Sequence, residues 1–593
     1  MNEFHVPEEC LRTLTYPSEF YESLLKSCNS SISEVSLSSL YLGTGALEIS
    51  LAHKLRERLV SCPSLRLNMT FDLNRAIRKM KPVPREPGDL SSNLFGRAAN
   101  YSYSSSAELL LELFRDVNGT LVPSLGRRID ISMVLIPSHR GILGRLVSAR
   151  YVEGIGVWHV KAYVFDRSTV ILTGANLSSD YFTTRQDRYV VISCANGEGG
   201  EEGARSVGAL ADYVHSTLKA VSSLPGSYAL NGMGVVCSGR KDGLDNCDDA
   251  NYPEDTKIVS LHALPTIQFK PLPLFSPKNL LFSSGLKDLL IKHSCGVVQE
   301  HPETGILKGN ARRSATEGSG TVTIRPRWQL GSLGVRCDEL QLQSTLQSLG
   351  PAQTQSLYLA TGYFNLPVSI QRLLISARGA CIHVLTAAPT ANGFWGAKGV
   401  AGAIPLAYCQ LEKSFYDAVS LGSKHSQDPE GSPLSPGITI HEYSRPGWTF
   451  HAKGLWLLTY PRAPHTSFMR TLPSRITTLV GSSNFGQRGL QRDLELQFEI
   501  SSSDNSGTGR LFWEEADNIF AFSQRQAHKC NTSHNHWIKA VGPHLARGAT
   551  YKYGPERDVW CPKANPHRAL QWRASWSNGI WIKAGKRILA GFF

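Results

Sequence analysis

Along the chain, short apolar runs that stop at glycine alternate with longer stretches in which apolar residues recur every four positions. Ser39-Leu40-Tyr41-Leu42-Gly43-Thr44-Gly45 reads as a buried strand ending at a glycine. Leu47, Leu51, Leu55 and Leu59 follow it, on one face of a helix. The pattern returns as Ser356-Leu357-Tyr358-Leu359-Ala360-Thr361-Gly362, identical at six of seven positions. A stretch opening at Pro367 and running through Ile370, Leu373 and Leu374 comes next. Strand–turn–helix units of this kind predict an α/β architecture.

A second repeat carries polar residues. In Trp158-His159-Val160-Lys161-Ala162-Tyr163-Val164-Phe165-Asp166 the β-branched and aromatic residues favour a strand. Alternation sends His159 and Lys161 to one face, about 7 Å apart. His451-Ala452-Lys453 repeats the set. Asn176 lies 17 residues after His159 and Asp187 lies 11 further; Asn484 lies 33 after His451 and Glu495 lies 11 further. The 16 extra residues fall in 460–476, rich in Pro, Ser, Thr and Arg, which reads as a loop insertion.

The order strand, HxK, Asn, acid therefore occurs twice and predicts two homologous halves, 1–225 and 327–593, the second with a C-terminal helical region. Between them, 226–326 has weak periodicity, an acidic cluster (Asp242, Asp245, Asp248, Asp249) and a Pro-rich segment at 269–278. It reads as an insertion or linker, partly disordered. The acidic spacing is not that of a calcium loop, and a solvated loop accounts for it.

Composition narrows the partners. With 593 residues the chain exceeds one core, and its 41% hydrophobic content is that of a folded protein. A formal charge of +13 points to anionic partners: nucleic acid, phosphorylated small molecules or an acidic membrane surface. No run of 18 apolar residues occurs, so no transmembrane helix is expected. The 12 cysteines contain no CxxC pair, which excludes a zinc ribbon and fits a reducing compartment. The first 30 residues hold five Glu against Arg12 and Lys26, unlike a transit or secretory peptide, and read as the start of a folded domain. His528, Cys530, His534 and His536 have irregular spacing and read as a polar loop, not a metal site. His536-Trp537-Ile538-Lys539-Ala540 resembles Ile580-Trp581-Ile582-Lys583-Ala584, and no physical account of that duplication follows.

Two HxK sets meeting across a pseudo-twofold axis make one pocket with two His, two Lys, two Asn and two acids. One imidazole can attack phosphorus while the other moves protons. Lysines and asparagines can stabilise charge on phosphorus, and a carboxylate can fix a histidine's tautomer. No metal or cofactor is expected.

These residues resemble the phospholipase D superfamily, whose mark is HxKxxxxD followed by a Gly/Ser–Asn segment. His159 to Asp166 with Thr173-Gly174-Ala175-Asn176 fits it. His451 to Leu458 with Gly481-Ser482-Ser483-Asn484 fits except for leucine in place of Asp. Within the superfamily the chain resembles the eukaryotic phosphatidylglycerophosphate synthases, in residues 39–45, 138–141, 159–166, 168–189, 361–367, 392–405, 447–457, 481–495 and 581–593.

The resemblance implies two phospholipase D-like α/β/α sandwich domains sharing one active site. Its catalytic set is His159, Lys161, Asp166, His451 and Lys453, with Asp166 orienting nearby backbone and Asn176, Asp187, Asn484 and Glu495 in support. It implies transfer of a phosphatidyl group from CDP-diacylglycerol to glycerol 3-phosphate through a phosphatidyl-histidine. His159 is preferred as nucleophile because its half carries the complete motif. The expected partners are these substrates and an anionic membrane surface, not nucleic acid. The expected place is the inner mitochondrial membrane, although no presequence is visible. Arg140, Arg185, Arg188, Arg488, Arg492 and Lys398 are candidates for the acceptor's phosphate. In Asn392 to Pro405, Gly393, Gly396, Gly399 and Gly402 allow backbone N–H groups near a phosphate, or serve only tight packing. A hydrolase using water as acceptor, and a non-catalytic binding relative, are the alternatives.

Overall fold

A computed structural model of the chain describes residues 2–79, 103–116, 120–136, 156–224, 227–231, 234–237, 258–260, 277–294, 320–349, 354–377, 380–397, 399–425, 437–460, 473–502 and 507–525. Arg140, Lys398, the acidic cluster at 242–249, most of 269–278 and everything after 525 lie outside them.

Among the described residues the chain forms two mixed sheets of ten strands each. In the first, Arg66–Asp72 lies parallel to both Glu34–Ser38 and Ile129–Val134, and Ala162–Phe165, Thr169–Thr173 and Tyr189–Ser193 follow antiparallel. The second repeats this plan, with Thr354–Thr361, Ala380–Ala387 and Ile438–Tyr443 parallel and Lys453–Tyr460, Arg475–Gly481 and Glu495–Ser502 antiparallel. The parallel strands need crossovers, and the helices Ala46–Ser61 and Val368–Ser376 supply them at matching places. Their apolar faces cover separate cores, one holding Leu51, Leu55 and Leu59 and the other Ile370 and Leu374. A third core joins the halves and contains Trp158, Val160 and Val170 of one with Trp456, Leu494 and Phe498 of the other.

Strand pairing crosses the boundaries expected from sequence. Phe4–Pro7, near the start of the first half, pairs with Thr321–Leu330 in the second sheet. Tyr228–Asn231, from the expected linker, pairs with Ile129–Val134 in the first. The linker also supplies the helix Pro277–His293, whose Leu286 and Leu290 enter the shared core.

The seven-residue match between 39–45 and 356–362 is not the structural repeat, and the first copy is not a strand. Ser38 pairs with Ala162 and Ala360 with Gly454, and those two partners stand one residue after Lys161 and Lys453. Ser38 therefore corresponds to Ala360, and Tyr41 to Tyr363. The first strand stops at Ser38, so residues 39–45 form the loop that follows it. The shared turn confirms the register: Ser39 Oγ donates to Tyr41 O at 3.0 Å and Thr361 Oγ1 to Tyr363 O at 3.3 Å.

Asp166 leaves the catalytic set. It stands past the end of strand Ala162–Phe165 that is remote from His159, in the left-handed region at φ 47°. Its carboxylate accepts from the backbone N–H groups of Ser33 at 2.8 Å, Glu34 at 2.9 Å and Ile32 at 3.1 Å, and from Ser33 Oγ at 2.8 Å. Burial pushes this carboxyl up, and those hydrogen bonds together hold it below its ordinary value. The leucine at the corresponding place follows from topology. Strand Lys453–Tyr460 does not turn there, and Leu458 continues it, paired with Ser356 and Ile476. Replacing Asp166 with Asn is expected to cost about 1–3 kcal/mol of stability at neutral pH while leaving kcat within about threefold. A carboxyl with a depressed folded pKa stabilises above its unfolded value of 3.8 and loses that contribution as pH falls through the folded one. Melting curves of the two proteins should therefore converge in acid, and an equal loss of kcat would return Asp166 to the chemistry.

Candidate active site

Two short parallel ribbons stitch the halves together at their centre. In one, Thr449–Phe450 pairs with Arg185–Gln186, and His451 N donates to Gln186 O at 2.8 Å. In the other, Trp158 bridges Leu494, and His159 N donates to Leu494 O at 2.9 Å. These contacts are equivalent, because 158 corresponds to 450 and 186 to 494. Each histidine thus sits between its ribbon and its long strand, with its backbone tied to the opposite half.

The side chains cross in the same way. His159 Nδ1 lies 2.8 Å from Glu495 Oε2, and His451 Nδ1 lies 2.6 Å from Asp187 Oδ2. Each carboxylate belongs to the other half, so neither HxK motif is complete alone. Both acids are fully buried, and His159 and His451 are only 9% and 4% exposed. Burial drives both histidines well below their usual pKa, with Lys161 adding to the effect at His159 and Lys453 at His451. Burial raises Asp187 and pushes Glu495 up to about 7, against the opposing pull of Lys453 and Lys161 respectively. The resting site therefore favours neutral imidazoles, the form that can attack phosphorus.

The two lysines are not equivalent. Lys453 Nζ lies 2.6 Å from His451 Nδ1, 3.5 Å from its Nε2, and 3.4 Å from both Asp187 Oδ2 and Gly174 O. A Cβ at Gly174 would lie 2.5 Å from Lys453 Nζ and 2.9 Å from Asp187 Oδ1, so a side chain there would displace this pair. Among the described residues Lys161 Nζ is buried with no hydrogen-bond partner, and so is Asn484 Oδ1. Asn176 is held: its Oδ1 accepts from Leu40 N at 3.4 Å and its Nδ2 donates to Tyr181 Oη at 3.2 Å. Burial drives the Lys161 pKa well below its ordinary value, because an unpaired ammonium there is costly, and an arriving phosphate favours the charged form.

The arginines sort into three kinds. Arg185 pairs with Asp180 at 2.9 Å, and its guanidinium lies 4.8 Å above the Tyr181 ring on the His451 side. Arg488 pairs with Asp493 at 2.9 Å and depresses the histidine of the other motif, His159. Positions 180 and 185 correspond to 488 and 493, so one ion pair recurs with its charges exchanged. Arg188 is not an acceptor ligand. It is 1% exposed, binds Glu515 through two hydrogen bonds, donates to Leu479 O at 2.8 Å and lies 3.8 Å over Trp456. Its guanidinium runs across Gly454, where no side chain fits, and its work is to join the halves. Arg492 is part-buried beside Arg488, and burial lowers its pKa. Arg140 and Lys398 lie outside the described residues.

Sequence reasoning missed the aromatic wall at His451. Tyr181 Oη lies 3.2 Å from His451 Nε2 with the rings edge-on at 4.9 Å, and the Tyr363 ring stands 5.7 Å away. Tyr363 also packs on Phe394 of the glycine-rich segment at 5.9 Å, and a Cβ on Gly393 would approach Arg185 to 3.3 Å. The signal was available in the repeat, because Tyr181 stands where the second copy has Gly489.

No family model matches the chain. Curated relatives match it over most of its length. The CDP-diacylglycerol–glycerol-3-phosphate 3-phosphatidyltransferase, mitochondrial, of Gallus gallus is 30% identical, over 91% of this chain and 84% of its own. The enzyme of that name in Saccharomyces cerevisiae is 28% identical, over 88% and 84%. The solved phosphatidylserine synthase of Haemophilus influenzae Rd KW20 has the same fold, with a TM-score of 0.56 at 16% identity over 92% of this chain and 94% of its own. With the mitochondrial enzyme of Mus musculus 32% identical across 86% of this chain and 78% of its own, the chain belongs to the family of CDP-diacylglycerol–glycerol-3-phosphate 3-phosphatidyltransferases.

Proposed function

We propose that the chain carries out its family's reaction by two displacements at the paired histidines. The phosphatidyl group of CDP-diacylglycerol passes to sn-glycerol 3-phosphate, giving phosphatidylglycerophosphate and CMP. His159 Nε2 attacks the β-phosphorus, the P–O bond to CMP breaks, and His451 protonates the departing oxygen. The acceptor hydroxyl then gives its proton to His451, its oxygen bonds to phosphorus, and the P–N bond to His159 breaks. Glu495 and Asp187 hold the Nδ1 atoms, so each Nε2 faces the reacting group. The anionic donor favours protonation of His451, which takes up the proton the first step needs, while His159 stays neutral to attack.

The observation that carries this reading is the crossed pair of His–carboxylate contacts beside the buried, unpartnered Nζ of Lys161. Lys161 takes the phosphate oxygens directly, and the amide of Asn484 supports it. Arg488, on the His159 side, serves the donor phosphates. Arg185, on the His451 side, takes the acceptor's phosphate. In this scheme the side chains carry the charge stabilisation, so the reaction needs no metal.

Work at an anionic membrane surface fits the formal charge of +13, each basic residue near the surface contributing about 1 kcal/mol. No helix of the described residues is long and apolar enough to cross a membrane. The vertebrate relatives carry the name mitochondrial, which supports the mitochondrion as the place of action.

His159→Ala and His451→Ala are each expected to lower phosphatidyl transfer by at least about 10²–10⁴, measured as CMP release that depends on glycerol 3-phosphate. Activity should persist in EDTA; its loss there would sink the metal-free scheme, and CMP release indifferent to the acceptor would favour the hydrolase. Arg185→Gln should raise KM for glycerol 3-phosphate by about 10–100-fold with a smaller change in KM for the lipid, since a charge-assisted hydrogen bond contributes about 1.5–3 kcal/mol. Equal shifts in both constants would show that Arg185 does not distinguish the two substrates.

A further inference from the structure

The second displacement poses a problem that the two histidines alone do not solve. A phosphatidyl-histidine is open to water as well as to glycerol 3-phosphate, and His451 can deprotonate either. If water reacts, its oxygen bonds to phosphorus, the P–N bond to His159 breaks with its electron pair returning to the imidazole, and His451 takes the proton. The product is then phosphatidic acid, and the activated lipid is lost.

We propose that Tyr181 is a specificity-determining residue that caps the proton-accepting nitrogen of His451 and so withholds it from water until the anionic acceptor arrives. This rests on the division of labour proposed above. Asn176 Nδ2 donates to Tyr181 Oη at 3.2 Å, and Tyr181 Oη lies 3.2 Å from His451 Nε2; once His451 has given its proton to the leaving group, the phenol's own hydrogen is free to turn to that nitrogen. The hydroxyl occupies the place that an acceptor hydroxyl must take. The edge-on ring at 4.9 Å and Tyr363 at 5.7 Å close the remaining approach, and His451 is 4% exposed.

The other half lacks this device. The residue corresponding to Tyr181 is Gly489, where a Cβ would stand 3.1 Å from Glu495 Oε1. Among the described residues nothing hydrogen-bonds His159 Nε2, which is the nitrogen that must reach phosphorus. The cap is thus confined to the histidine whose premature activity is harmful.

The acceptor has a way to lift the cap that water lacks. Arg185 lies 4.8 Å over the Tyr181 ring and is tied to Asp180 at 2.9 Å and Thr449 Oγ1 at 3.1 Å. A phosphate that draws Arg185 toward itself withdraws the cation seating the ring, so its binding energy is spent on exposing the base. Water carries no such group. Tyr181 is then a positioning residue that acts through His451.

The test uses the full chain on mixed micelles of detergent and labelled CDP-diacylglycerol, with and without glycerol 3-phosphate, and separates phosphatidic acid from phosphatidylglycerophosphate. Tyr181→Phe keeps the ring and removes the hydroxyl. It is expected to raise the ratio of phosphatidic acid to transfer product about tenfold, the equivalent of one hydrogen bond. Tyr181→Ala should raise it further and release CMP steadily without acceptor. An unchanged ratio in Tyr181→Phe, whatever happens to kcat, overturns the proposal, and that variant decides alone if Tyr181→Ala fails to fold. Wild-type protein that makes no phosphatidylglycerophosphate would instead overturn the reaction assigned above, so the two failures are distinguishable.

Discussion

The structure depends on an exchange of carboxylates: each histidine is oriented by an acid from the opposite half. Glu495 reaches His159 and Asp187 reaches His451 only because two short ribbons fix the halves in register at their centre. A histidine whose Nδ1 is not held can turn its ring or shift its tautomer, and then Nε2 no longer faces phosphorus. The chemistry therefore requires the interface to be as rigid as a core. It is built as one, with Trp158 and Trp456 fully buried and a continuous apolar cluster passing between the sheets. Arg188 belongs to that requirement. Its ion pair with Glu515 and its stacking on Trp456 are buried, so removing either partner leaves an uncompensated charge inside the joint.

The sequence was most legible where spacing reflects chemistry. Asn176 and Asp187, like Asn484 and Glu495, stand 11 residues apart, and the two acids reach the histidines of the opposite halves. The crossing was hidden, since no spacing within one half reveals that Asp187 serves a histidine 264 residues away. The match at 39–45 and 356–362 misled for a physical reason. Apolar strand ends and glycine turns draw on few residue types, so seven letters can agree while the structural register differs by five. The motif places Asp166 in the catalytic set with the role of orienting nearby backbone, and which backbone it holds, that of Ile32, Ser33 and Glu34, is visible only in three dimensions. Strand membership was equally opaque at the ends: Phe4–Pro7 joins the far sheet, where Thr321–Leu330 offers it an edge.

Duplication supplies the frame, and the departures from symmetry divide the labour. Lys453 lies among His451, Asp187 and Gly174, whereas Lys161 is buried without a partner. The ion pair beside each ribbon keeps its place while its charges exchange, Asp180–Arg185 on one side and Arg488–Asp493 on the other. Either order satisfies both ions. The exchange does place the two guanidiniums on different segments relative to their histidines, so the donor and acceptor sides present cations differently.

Tyr181 against Gly489 is the sharpest of these departures. A strictly symmetric site would put the same group beside both histidines, and either choice is poor. With tyrosines on both, the nucleophile's Nε2 is occupied before the donor arrives; with glycines on both, the base is exposed to water throughout the life of the covalent intermediate. One aromatic and one glycine resolve the conflict, because attack needs an open nitrogen and proton transfer needs a guarded one. The same asymmetry bears on which histidine attacks. Motif completeness favoured His159 through Asp166, a residue that holds residues 32–34 and touches neither histidine. Among the described residues His159 Nε2 carries no hydrogen bond whereas His451 Nε2 meets Tyr181, which favours the same histidine on an observation that concerns the reacting nitrogen itself.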